Sequence, residues 1–288
     1  MSKYLSLLLS SCLILLCACE EVVVINSLDR AIVQAYLYAG SSVDDIRLSQ
    51  PLPFGVDEDS SGLPINDANI LLTHNGEDYA LSLSPGDSGY YHYEGEDLKI
   101  LNGDSYQLSF EYKGIEITSE TTVPPPPTGL AISQTELEVA PVTAPMQIRT
   151  LAQMPPVELS WDYQGDVYYY LLIENTVDST EEILQLQAGG GPGGGGGPGG
   201  GGGRLRARFS FVSTPFQDIN YEIQIPALTE YGLHRVVLFR VNQEYVDLYE
   251  TLEQDSRDLS EPLNNIQNGL GVFAAFNSDT VWLDVRKP

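Results

Sequence analysis

The sequence predicts a mainly β protein made of two antiparallel, sandwich-like domains, and three observations predict it. Apolar and polar residues alternate in short runs rich in Val, Ile, Tyr and Phe, the period that sends successive side chains to opposite faces of a strand. Turn residues separate these runs at intervals of about 8–12 residues, the spacing of hairpin-connected sandwiches. Four consecutive prolines, Pro124 to Pro127, then cut the β-rich stretch in two. They cannot donate to a ladder and form a stiff, extended spacer.

The first domain is expected over residues 30–127. Ala31 to Tyr38 is rich in strand formers and stops at Gly40. Ile70 to Thr73 and Tyr79 to Leu83 flank Asn75-Gly76, a hairpin dipeptide because both positions accept positive φ. Tyr90 to Tyr93 follows Gly89, and Tyr106 to Tyr112 alternates before turning at Lys113-Gly114 into Ile115-Glu116-Ile117. Residues 128–156 have weak periodicity and more proline, which reads as a connection holding at most one edge strand.

The second domain is expected over residues 157–288. Val157, Leu159 and Trp161 share one face, and Val167 to Ile173 supplies the next strand. This opening resembles a fibronectin type III sandwich. Tyr221 to Ile225 and His234 to Val241 read as further strands, and Gly271 to Phe276 and Thr280 to Val285 as two closing ones. Tyr245, Leu248, Tyr249 and Leu252 fall at i, i+3, i+4 and i+7, a helical period that predicts one short helix packed on the sheet.

Gly189 to Gly203 is all glycine except Pro192 and Pro198. Glu182 to Gln187 before it and Arg204 to Phe211 after it both alternate. Pairing as a hairpin would set Glu181 and Glu182 against Arg204, Arg206 and Arg208, a favourable cross-strand combination. The glycines would form the tip. Composition leaves open whether they are a functionless insertion or a binding or pore-inserting loop.

The N-terminus carries the most specific functional signal. Lys3 precedes an apolar stretch from Leu5 to Leu16, and Leu16-Cys17-Ala18-Cys19 follows. This is the lipobox order of an aliphatic residue, two small ones and the cysteine that takes the acyl chains. The stretch is too short to span a bilayer, which needs about 20 apolar residues. Leu9-Ser10-Ser11-Cys12 is a second match that would leave only a stub of apolar core. A plain secretory signal is the alternative without lipid. The expectation is therefore a signal peptide over residues 1–18, acylation at Cys19 and a tether over 19–29. Lipidation anchors a soluble domain, each buried methylene contributing about 0.8 kcal/mol.

Composition sets further bounds. Of three cysteines, Cys12 and Cys17 leave with the signal, so neither an internal disulfide nor a cysteine-ligated metal site is expected. A net charge of −26 argues against nucleic acid and against adhesion to anionic lipid. Solvated acidic faces account for most of it. The sharper reading is a surface that selects a cationic or divalent-bridged partner. Asp57-Glu58-Asp59 and Glu94-Glu96-Asp97 lack the Asp/Asn ladder and distal Glu of a calcium loop, and calcium binding stays open.

Catalytic patterns are weak. Gly86-Asp87-Ser88-Gly89 matches the core of a serine-nucleophile motif, but Tyr90-Tyr91 replaces the following Gly-Pro. A serine nucleophile needs a histidine base within hydrogen-bond reach, and a turn before a strand explains these residues better. His74, His92 and His234 are scattered without zinc-ligand spacing. The glycine run lacks the Lys-Ser or Lys-Thr of a phosphate loop. Tyr168-Tyr169-Tyr170 reads as strand packing, with a ring platform for sugar or peptide as the alternative. The sequence therefore predicts no enzyme, no cofactor, no metal site and no catalytic residue.

One stretch is specific. Ser260-Glu261-Pro262-Leu263-Asn264-Asn265-Ile266-Gln267-Asn268-Gly269-Leu270-Gly271-Val272-Phe273 closely resembles the C-terminal signature of a Bacteroidota lipoprotein family, domain of unknown function 4249. Ile32 to Leu37, Asp67-Ala68-Asn69-Ile70, Gly89-Tyr90, Gly103 to Leu108 and Thr122-Val123-Pro124 extend the resemblance over nearly all the mature chain. The glycine run departs from it. The resemblance implies an outer-membrane-anchored, two-part β lipoprotein that accompanies a TonB-dependent transporter or another outer-membrane β-barrel. Glu20-Glu21 after the lipobox is similar to the signal for display on the outer face. A surface protein that captures peptide or glycan directly is the alternative. For the Asn/Gly-rich signature itself, a shaped loop is the reading that turn preferences favour.

Overall fold

The computed structural model describes residues 30–51, 62–178, 181–185, 210–252 and 264–288, with side chains at 250–252 left aside. Cys19, Glu20-Glu21, Asp57-Glu58-Asp59, Gly189 to Gly203, Arg204, Arg206, Arg208 and Ser260 to Leu263 lie outside the described residues.

The first half forms β1 (Ile32–Tyr38), β2 (Asp45–Ser49), β3 (Leu71–His74), β4 (Glu77–Ala80), β5 (Ser82–Leu83), β6 (Tyr90–His92), β7 (Ser105–Tyr112) and β8 (Ile115–Thr122). The Asn75-Gly76 and Lys113-Gly114 turns both take positive φ (53° and 82°, 51° and 79°), the type I′ geometry that matches strand twist. β9 (Ala131–Ile132), β10 (Glu136–Glu138) and helix α1 (Pro145–Leu151) occupy the connection. It is thus more structured than its periodicity predicts. The second half forms β11 (Val157–Ser160), β12 (Tyr168–Asn175), β13 (Ser210–Val212), β14 (Asn220–Ile223), β15 (Gly232–Val241), helix α2 (Gln243–Leu252) and β16 (Leu270–Arg286).

The protein is mainly β, and its sheets are largely antiparallel. A large front sheet runs β13-β12-β15-β16-β1-β2-β6-β5, with β10 also pairing β16. Two smaller sheets back it. The four-stranded β4-β3-β7-β8 sheet closes one core, in which Val33, Leu37, Ile46, Leu48 and Phe273 meet Leu72, Leu108, Phe110 and Ile117. The three-stranded β14-β11-β9 sheet closes the other, in which Tyr169, Leu171, Val236, Leu238 and Leu283 meet Val157, Leu159, Trp161 and Ile223. Each half is a sandwich with its own apolar interior.

The two sandwiches share a strand. β16 pairs with β1 in parallel from Leu270 to Phe276, and with β15 antiparallel from Phe276 to Val285. The two closing strands expected from the sequence are therefore one strand of 17 residues. Asn277-Ser278-Asp279 reads as a turn, yet β15 keeps pairing through it, and the Asn277 and Asp279 side chains accept from the next N–H groups (3.0 and 2.8 Å).

Polar side chains fasten the junction. Asn242 donates to Thr121 Oγ1 and Thr122 O (3.0 and 2.8 Å), and Asn277 donates to Pro124 O (2.9 Å). Pro124 and Pro127 are buried, so the proline run is an extended spacer that docks between the sandwiches. The expected hairpin across the glycine run does not form in the described residues. Ile183 instead donates to Thr229 O and Gln185 to Val142 O, while β13 pairs with β12. Glu181 pairs with Lys287, and the arginine run lies outside the described residues.

Candidate functional site: the open aromatic face

Strand alternation divides the side chains of the front sheet between the two interiors and a face that no second sheet covers among the described residues. On that face β12 places Tyr168, Tyr170 and Leu172, β15 places Arg235, Val237 and Phe239, β16 places Phe276, Ser278, Thr280 and Trp282, and β1 places Tyr36 and Tyr38. Tyr169 points the other way, into the core beside Trp161 and Phe216. The Tyr168-Tyr169-Tyr170 run therefore supplies packing and surface together, by parity alone.

An aromatic cluster sits where the two halves of the face meet. Phe276 is 1 % exposed, and the rings of Tyr38, Tyr36, Tyr170, Phe239 and Tyr245 surround it at centroid distances of 5.1, 5.7, 5.8, 6.3 and 4.9 Å. Tyr170 and Phe239 stack at 4.6 Å and 11°. Helix α2 covers one side with Tyr245, Val246 and Leu248, as the helical period predicts; the Leu252 side chain lies outside the described residues. Beyond the helix the cluster opens into a cleft of about 350 Å³ bounded by Tyr38, Ser41, Arg235, Phe239, Ser278 and Thr280. Arg235 is paired with Glu174 at its rim.

Burial governs the titration of these rings. Desolvation, with the Asp45 carboxylate next in weight, pushes the Tyr36 hydroxyl up to about 12. The same two causes raise Tyr38, which donates to Asp45 Oδ2 at 3.3 Å, and burial raises Tyr170 and Tyr245. Burial also raises the Asp45 carboxyl, against the Tyr38 hydrogen bond that lowers it. A phenol whose folded pKa exceeds its unfolded value stabilises the fold fully below that unfolded value, and the contribution is lost as pH rises through the folded one. For Tyr36 the window runs from 10.0 to about 12. Alkaline titration should therefore show the cluster's tyrosinate absorbance rising together with unfolding. Full ionisation near pH 10, with the tertiary signal intact, would contradict this packing.

The remaining sequence candidates have structural explanations. His74 meets Asp104 at 2.8 Å and stacks on Tyr106 at 4.5 Å. His92 contacts Ser84 Oγ at 3.0 Å. His234 is fully buried with Nδ1 3.0 Å from Gly232 O, and desolvation lowers its pKa. The three lie in different strands, β3, β6 and β15, and no cluster of three metal-ligating residues occurs among the described residues. Gly86 to Gly89 is a turn with Asp87 at φ 48°, held by Asn66 through Asp87 O and Gly89 N. Glu94 and Glu96 are exposed.

The Asn/Gly-rich signature also builds structure. The Asn265 amide donates to Phe273 O at 2.7 Å and accepts from Phe273 N at 2.9 Å. It thereby imitates a strand partner, while Asn265 O accepts from Ser119 Oγ at 2.8 Å. Asn268 takes φ 61° and donates to Glu116 O at 2.9 Å. A larger hollow of about 530 Å³ lies on the outer face of the three-stranded sheet, where Glu158 and Glu222 stand directly opposite each other. Its lining mixes these carboxylates and polar Ser160 and Asn220 with Ile132 and Leu159, and Tyr221 is the single ring in it. β2 is the element with the weakest sequence signal, because charged Asp45 and Arg47 leave only Ile46 and Leu48 to mark it.

No curated protein matches the sequence. Among solved structures, the FN1–FN3 domains of chicken CNTN1 align at 10 % identity and TM-score 0.27, covering 90 % of this chain and 65 % of that one. A titin domain segment aligns at 10 % identity and TM-score 0.20, covering 89 % and 66 %. This chain thus spans just under two thirds of the length of each. Residues 21–281 match the family described as "Domain of unknown function (DUF4249)", and the chain belongs to that family.

Proposed function

We propose that this protein is a non-enzymatic Bacteroidota lipoprotein, anchored in the outer membrane through Cys19 and facing outward. There it acts as an accessory subunit of a TonB-dependent transporter or other outer-membrane β-barrel. The observation that carries the reading is Leu16-Cys17-Ala18-Cys19 followed by Glu20-Glu21. Cys19 stands eleven residues before Arg30, a tether that spans at most about 40 Å. β1 leads away from the tether and ends at Tyr38 beside the cleft, roughly 20 Å further along the strand. The cleft end of the open face therefore lies at the far end of β1 from the tether, which supports contact with a partner away from the anchor. Its rings and exposed Trp282 suit protein contact better than chemistry.

The aromatic cleft favours one second reading, direct capture of a solute. Tyr38, Tyr170 and Phe239 would then be its platform. Co-purification of a barrel after mild detergent extraction separates the two.

Anchoring is tested by Cys19→Ala with intact-mass analysis. The parent protein is expected in the membrane fraction with acyl mass at Cys19, and the variant in the soluble fraction without it. An unacylated parent, or cleavage elsewhere, would overturn the anchor. Protease added to whole cells should remove the parent protein, and survival there alongside loss in lysed cells would reverse the orientation.

A further inference from the structure

β16 is an edge strand twice, on opposite sides. From Leu270 to Phe276 it pairs with β1, and at Phe273 the other side is closed by the Asn265 amide. From Phe276 to Val285 that other side pairs with β15. The first side then lacks a strand from Asn277 to Leu283 among the described residues, since β1 stops at Tyr38 opposite Phe276 and β10 starts at Glu136 opposite Asp284. Ala39 N donates to Phe276 O, and Asp284 N donates to Thr135 O. Alternate residues share an edge, so Ser278, Thr280 and Trp282 aim their backbone polar groups into this gap. All three are exposed. Only the N–H groups of Ser278 and Thr280 are turned back, onto Asn277 and Asp279.

The gap adjoins the aromatic cleft, which Ser278 and Thr280 also line. Phe276 to Asp284 is about 26 Å of strand, room for a further strand of ordinary length. Both side chains facing the cleft from this edge are small. An apolar residue on an added strand would pass over them onto Phe239 and Tyr38. Acidic groups rim the slot: Asp44 and Asp45 follow the end of β1 and Asp279 lies within it, while Asp284 and Glu136 at its far end are both paired with Arg286. With Arg235 taken up by Glu174 and Arg286 by Asp284 and Glu136, the slot keeps a net acidic rim from Asp44, Asp45 and Asp279.

We infer that this edge and cleft form a docking slot for an extended, cationic segment of a partner protein, which adds a strand between β1 and β10. Main-chain bonds to the β16 edge would supply affinity, and the cleft would select an apolar side chain. The inference rests on the reading of this chain as a partner-binding surface protein. A second copy fits less well, because it would press two acidic rims together in a chain of net charge −26.

The test is to pan a phage-displayed library of random linear peptides against the full-length lipoprotein in detergent micelles. Enriched sequences should alternate apolar residues and carry Lys or Arg. In synthetic copies, N-methylation on one set of alternate amides should weaken binding roughly fivefold per blocked bond, and on the other set should not. Thr280→Lys should weaken binding at least about tenfold through charge and bulk at the edge. Glu222→Lys, which adds two positive charges to the back sheet against the one added at Thr280, should leave it unchanged. Absence of enrichment, indifference to N-methylation, no effect of Thr280→Lys, or dimerisation of the protein through this edge would overturn the inference. Failure of the anchor shows separately, in the fractionation of the Cys19→Ala protein.

Discussion

Gly271→Ala should destabilise the protein by more than about 3 kcal/mol, although it adds a single methyl group. Gly271 pairs with Val33 where β16 enters the front sheet, at φ 109°. A Cβ there would meet Val33 O at 1.9 Å, with Val33 C and N at 2.9 and 3.0 Å. Those atoms are the backbone of Val33, a fully buried residue paired on both sides in the sheet, so they cannot rotate aside, and the positive φ disfavours any L side chain. The first sandwich would have to part β1 from β16. Urea unfolding of the variant measures the effect. A loss below about 1 kcal/mol would show that the two strands do not approach this closely.

Phe276→Ala should cost about 3–5 kcal/mol, the range for removing a buried phenylalanine. Its ring stands at the point where β1 ends, β15 ends and β16 passes between sandwiches, with five other rings around it. Removal leaves a void that Tyr38, Tyr170 and Tyr245 cannot fill together, because each is fixed on a different element. Near-ultraviolet circular dichroism should lose tyrosine signal along with stability, and Phe276→Leu should recover much of both. A nearly neutral Phe276→Ala would mean that the junction is not packed through this ring.

Much of the fold was legible because short-range chemistry wrote it. Asn75-Gly76 and Lys113-Gly114 announce their turns, since positive φ is cheap there. Tyr245 and Leu248 announce a helix face. Val157, Leu159 and Trp161, which are 0, 0 and 5 % exposed, announce a core. What stayed hidden depends on pairing between distant residues. Asn277-Ser278-Asp279 looks like a turn until β15 is laid beside it, so β16 reads as two strands. The mainly β pair of sandwiches follows from alternation, whereas their sharing of one strand follows only from the register of Phe276 with both Tyr38 and Val241.

The candidate site was legible in part. Tyr168-Tyr169-Tyr170 marks a strand rich in rings, but its partners Tyr38, Phe239 and Phe276 come from three other strands. No local pattern brings them together. The open edge at Ser278 to Trp282 is likewise a property of where β1 and β10 stop. Asn265 shows the converse: a signature residue whose amide fastens Phe273 inside its own segment, so its pattern in the sequence reflects architecture.

The claim that this open face docks an outer-membrane barrel is tested most directly by photo-crosslinking in intact cells. A photoreactive phenylalanine analogue replaces Thr280 on the front edge or, in a second strain, Glu222 on the acidic back sheet. The account predicts an adduct with an outer-membrane β-barrel protein from position 280 and none from position 222. No barrel adduct from position 280, or equal adducts from both positions, would contradict it.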